Sequence, residues 1–236
     1  MRAITIALVV SLSGETAAAQ SAPAPAQGRP AFELAQATVT ALTLASSIEQ
    51  AIDRIDRNRL SDQSGRFEAT TEARRALGRS QEANSLLGRP IGAPDSAIRK
   101  AAAAMRAPFN QLSSGLNDAI RTWEKLDRVS DDNEAVDLVR SSTAILANEG
   151  PWERLGQATI GVTHALLDLE RATVRGDLKS ARHLQLTKVE RETVIASLKK
   201  SFPRLSTNAR GGRPAEASAA ALFEFLNQPF ANTEDP

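Results

Sequence analysis

Few side chains in this chain have types and spacing suited to chemistry. His164 and Asp168 stand one helical turn apart, so on a helix both would face the same ligand. A metal ion needs at least a third donor. The other histidine, His183, falls on the next helical stretch, where an antiparallel neighbour would bring it close. The H-x-x-x-D spacing lacks the H-E-x-x-H constellation of a zinc-binding helix, so no metal site is expected. Met105 and His164 on facing helices of a bundle would serve as the axial pair of a non-covalently held haem. The plainer reading makes Met105 a core residue that fills space beside Pro108. In that reading His164 flanks a packed seam, with its ring bonded to Asp168 or to a backbone carbonyl. No cofactor is expected, and the Met105–His164 haem pair is the alternative.

Catalytic patterns are missing from the sequence. There is no cysteine, no G-x-S-x-G and no phosphate-cradling glycine loop. Gly211-Gly212 lies between Arg210 and Arg213-Pro214 and reads as a flexible loop. Carboxylates are scattered along the chain as partners of Arg and Lys, and Glu170 reads as one that is simply solvated. Lys199, Lys200, Arg204, Arg210 and Arg213 form a diffuse basic stretch without interleaved aromatics, expected to be a solvated helix end. Phe223, Phe225, Leu226 and Phe230 are dense for a chain with 4% aromatic residues. They are expected to close the core rather than to offer a docking surface.

Composition limits the wider choices. Formal net charge is +1, with acids and bases interspersed, so nucleic acid is not an expected partner. Without cysteine there is neither a disulfide framework nor covalent haem attachment. Arg2, the apolar run over residues 3–12 and Ala17-Ala18-Ala19 match a cleaved export signal. The run is half of what a spanning helix needs, and no transmembrane span is expected elsewhere. Residues 1–19 are therefore assigned to a signal peptide and 20–30 to a Pro/Ala linker. Residues 31–230 are assigned to one domain and 231–236 to a polar tail.

The elements that must position these residues are helical, because Ala, Leu, Glu, Gln and Arg outweigh β-branched and aromatic residues. Apolar steps of three and four predict a first helix over 31–57, with Phe32, Ala35, Val39, Leu42, Ala45, Ile48, Ile52 and Ile55 inward. A weaker helix over 66–87 offers Phe67, Ala73, Leu77 and Leu86 and is expected to be the most exposed. After the break at 88–94, a long helix over 96–130 has Ile98, Ala102, Met105, Phe109, Leu112, Leu116, Trp123 and Leu126 as its seam. Pro108 lies inside it and should kink it, or else split it in two. Asp131-Asp132 should cap a short helix with Val136, Val139 and Leu146 inward. The helix over 151–175 carries Trp152, Leu155, Thr159, Val162, Leu166, Leu169 and Thr173. Its second flank, Ile160, Leu167 and Val174, marks it as the inner helix of the bundle. Gly176-Asp177 opens a further helical stretch. A Thr187–Glu190 capping box starts a helix ending at Phe202, and a last helix covers 215–227.

The expected fold is an all-α, antiparallel helical bundle with one long, Pro-kinked helix. The expected function is that of an exported, non-enzymatic envelope protein that acts through a protein partner or self-association. The alternative is a ligand-binding bundle, with the Pro108 kink opening a cavity lined by Met105, Phe109 and Leu112.

Overall fold

A computed structural model describes residues 29–93, 95–174, 185–205 and 212–228, with the side chains of 172–174 excepted. The described residues form an all-α bundle. Its helices are α1 (Pro30–Asp53), α2 (Gln63–Leu86), the short α3 (Gly88–Ile91), α4 (Ser96–Leu126), α5 (Asp132–Leu146), α6 (Gly150–Val174), α7 (Lys188–Ser201) and α8 (Pro214–Asn227). A 3-10 turn, Arg57–Arg59, follows α1. The export-signal segment, His183 and the stretch opened by Gly176-Asp177 lie outside the described residues, as do Arg210, Gly211 and Phe230.

Local chemistry sets the helix starts. The Asp95 carboxylate accepts from the amides of Ala97 and Ile98, and Asp131 accepts from those of Asn133 and Glu134. Each satisfies donors that a helix N-terminus leaves open. Thr187 and Glu190 complete the capping box of α7. At α2, Asp62 accepts from the amide of Gly65. A Cβ on Gly65 would lie 2.0 Å from the Arg59 carbonyl oxygen, so only glycine fits where the chain doubles back.

Packing begins with α4, whose expected seam residues are all buried. The helix passes through Pro108 unbroken as a single element, and Pro108 itself is buried. It ends at Leu126 rather than at 130. Met105, Phe109 and Trp123 are at most 1% exposed, each contributing about 1.5–3 kcal/mol of apolar burial.

α2 packs between α1 and α4, contrary to the expectation of a weakly held helix. Its buried face is Gly65, Ala69, Ala73, Ala76, Ser80 and Ala83. The large residues point elsewhere: Phe67 is 76% and Leu86 37% exposed. Small side chains let the backbones approach closely, and the Ser80 hydroxyl donates to the Phe109 carbonyl at 2.7 Å. Arg66, early on α2, pairs with Asp127 just past α4, while Ser80 meets Ser113 further back on α4. These two helices therefore run in opposite directions.

The inner helix is α1 rather than α6. It packs against α2, α3, α4, α6, α7 and α8, and its buried residues run from Ala31 to Ile52. On α6 the seam Leu155, Thr159, Val162, Leu166 and Leu169 is buried, but Ile160 of the expected second flank is half-exposed. Val136 of α5 likewise faces out, because α5 rests mainly on α4. Leu222, Phe225 and Leu226 of α8 join the core.

Two ionic contacts, the first of them buried, tie in α7. Arg191 of α7 donates to Glu170 at 3.1 Å and to the Gln228 carbonyl at 2.9 Å, and lies over the Phe225 ring. Glu170 is thus a paired, largely buried carboxylate and not a solvated one. Arg29 bridges the start of α1 to Glu190 of α7.

Candidate functional site

Among the described residues, Met105 and His164 do not converge. Met105 is fully buried, and the Thr159 hydroxyl lies 3.7 Å from its sulfur. His164 is exposed. Helix geometry puts it about 140° around and about 7.5 Å along α6 from Thr159, on a face turned away from Met105. Asp168 is exposed as well. Among the described residues no three His, Cys, Asp or Glu side chains are grouped to hold a metal ion. Phe109 is packed solid beside Met105, and Leu112 reaches the wall of a cleft elsewhere. Of the basic stretch, Arg213 pairs with Asp53, and Lys199 lies over the Phe223 ring.

The structure brings together a different set. Glu49 occupies the α1 seam between Ala45 and Ile52 and is 6% exposed. Its Oε1 accepts the backbone N–H of Ala215 at 3.0 Å, in the first turn of α8. Its Oε2 is buried with no hydrogen-bond partner. Burial pushes the carboxyl up to about 7, against the pull of the Ala215 bond and of Arg213. Asp53 and Glu216 add to the upward push.

Glu49 lines a cleft of about 610 Å³ bounded by the end of α1, the start of α6 and the start of α8. Ile52, Leu146, Trp152 and Ala217 give it apolar walls, and Asp53, Arg57, Glu149, Glu153 and Arg213 give it polar ones. Those five charged residues are exposed, whereas Glu49 is buried. A second cleft, about 650 Å³, lies against α4 and α5 and shares Ile52, Leu146, Asn148 and Trp152 with the first. Both volumes fall within the roughly 300–1,000 Å³ of small-molecule sites.

Two helix N-termini open toward the first cleft, and both have partners. Glu49 answers the Ala215 amide, and Asn148 Oδ1 accepts from Gly150 at 3.0 Å. The positive ends of α8 and α6 are thereby covered by the chain itself. An acidic residue within an apolar seam is the one sequence signal that would have marked this place.

Comparison with protein-family models, with curated proteins and with solved structures finds no match. Among the described residues, no helix is long and apolar enough to cross a membrane.

Proposed function

We propose that this chain is an exported, non-catalytic binding protein whose helical bundle holds a small molecule in the α1–α6–α8 cleft. The observation that carries this reading is Glu49. A carboxylate oxygen buried without a partner costs free energy, and it does so beside a cleft large enough for a ligand. Sites of this kind combine apolar walls with a few placed polar groups. Ile52, Leu146 and Trp152 supply the first, and Glu49 the second. Export rests on the pattern of residues 1–19, and mature protein from its source should begin at Gln20.

Native mass spectrometry of that protein, beside Ala217→Trp, tests the binding reading. Ala217 lines the cleft, and an indole there narrows it. A small-molecule adduct on the wild type that is lost in Ala217→Trp supports the reading. A bare wild type, or an adduct kept by the variant, refutes it.

Docking to a protein partner or to a second copy is the other reading, favoured by Phe67, which stands 76% exposed on the outer face of α2. Sedimentation would then show association that Phe67→Ser removes. A bare monomer with and without the substitution counts against it.

A further inference from the structure

We infer that the cleft is selective for an amphipathic organic cation, its ammonium held by Glu49 and its apolar body laid along Trp152, Ile52 and Leu146. The inference deepens the binding reading and rests on it.

Charge comes first. The lining carries the carboxylates of Glu49, Asp53, Glu149 and Glu153 against the guanidiniums of Arg57 and Arg213. Arg213 and Asp53 pair with each other at 2.8 Å, which leaves Glu49, Glu149 and Glu153 facing Arg57. The balance is acidic. Helix N-termini would ordinarily argue for an anion. Here Glu49 and Asn148 already occupy those of α8 and α6, so an incoming carboxylate finds no open amide cradle and meets three acids.

Placement comes second. Glu49 is the one charged residue of the lining that is buried, and the exposed acids stand around it. An ammonium drawn in by Glu149 and Glu153 ends at Glu49. The Ala215 amide holds one carboxylate oxygen of Glu49, and the other, buried without a partner in a residue that lines the cleft, is the acceptor left for an ammonium. An ammonium donates to that oxygen and cancels its charge away from water, where such a bond is strong. Trp152 borders the same space with an apolar, electron-rich face that suits both an alkyl body and a nearby cation.

The test is calorimetric titration of the full chain at pH 8 with n-octylamine, sodium octanoate and 1-octanol, which share one alkyl chain. Octylamine should bind saturably and octanoate should not. Glu49→Gln should weaken octylamine at least tenfold, while Glu153→Gln, at the exposed rim, should weaken it two- to threefold. Glu49→Gln can still accept the Ala215 amide, and circular dichroism checks its fold. Octanoate binding more tightly than octylamine, or octylamine binding Glu49→Gln unchanged, overturns the inference. If octanoate or octanol binds and Ala217→Trp abolishes that binding, the cation preference fails while the cleft reading stands. Silence from all three probes defeats the cation inference, and the native-mass comparison then decides the cleft reading separately.

Discussion

Glu49 is held in a place where its charge is costly. Its carboxyl titrates near 7 in the fold, against an ordinary value of 4.5. The proton is bound more tightly folded than unfolded, so folding is favoured most below about pH 4.5. That advantage drains away as pH rises through about 7. The full swing is about 3 kcal/mol. Urea unfolding of the wild type should therefore show stability falling between pH 5 and 8 relative to Glu49→Gln, which lacks the titration. Parallel pH profiles for the two proteins would mean that Glu49 is solvated. The sequence shows an acid inside the Ala45–Ile48–Ile52 stripe, but a long glutamate at such a position can also reach water. What traps it is the Ala215 amide, 166 positions away, which no local pattern reveals. Met105 was legible as a core residue because Met at a seam position packs. The pairing of Glu170 with Arg191 was not, since it joins two different helices 21 positions apart, beyond the reach of any i,i+4 pattern.

At the level of elements, the sequence pointed correctly to three helix caps and to the seams of α4 and α6. Asp95, Asp131 and Thr187 cap the helices they were expected to cap. The seams of α4 and α6 follow from apolar spacing. Val162 is fully buried on α6, so Val162→Asp should unfold the domain, an unpaired buried charge costing several kcal/mol. Near-native circular dichroism and urea midpoint in that variant would place the seam on the surface. α2 shows where periodicity misleads. Weighting large side chains put Phe67 and Leu86 inside, whereas the buried face of α2, packed between α1 and α4, is made of alanines with Gly65 and Ser80. Ala76→Leu should cost about 1–3 kcal/mol by overpacking, and Phe67→Ser, at the 76% exposed position, should stay within about 0.5 kcal/mol. Thermal melts that reverse this order would return α2 to the loosely packed helix its composition suggests.

For the whole molecule, the all-α class was legible from composition alone, but the inner position of α1 was not. α1 earns that position through contacts with helices from both halves of the chain. The cleft belongs to this scale too. Its walls come from α1, α6 and α8, with Leu146 of α5, and none of its residues signals the others by spacing. A bundle whose first helix is central holds its last helix against it through Glu49–Ala215 and Arg213–Asp53. A ligand that seats on Glu49 should therefore also raise the melting temperature of the whole domain, by mass action on the folded state. The most direct test is an amide and indole NMR titration of the full chain with n-octylamine at pH 8. Occupation of the cleft predicts saturable shifts at the Ala215 amide, the Trp152 indole and the Ala217 amide, lost in Glu49→Gln. Shifts confined to other surfaces, such as the outer face of α2 around Phe67, or no saturable shifts at all, would contradict it.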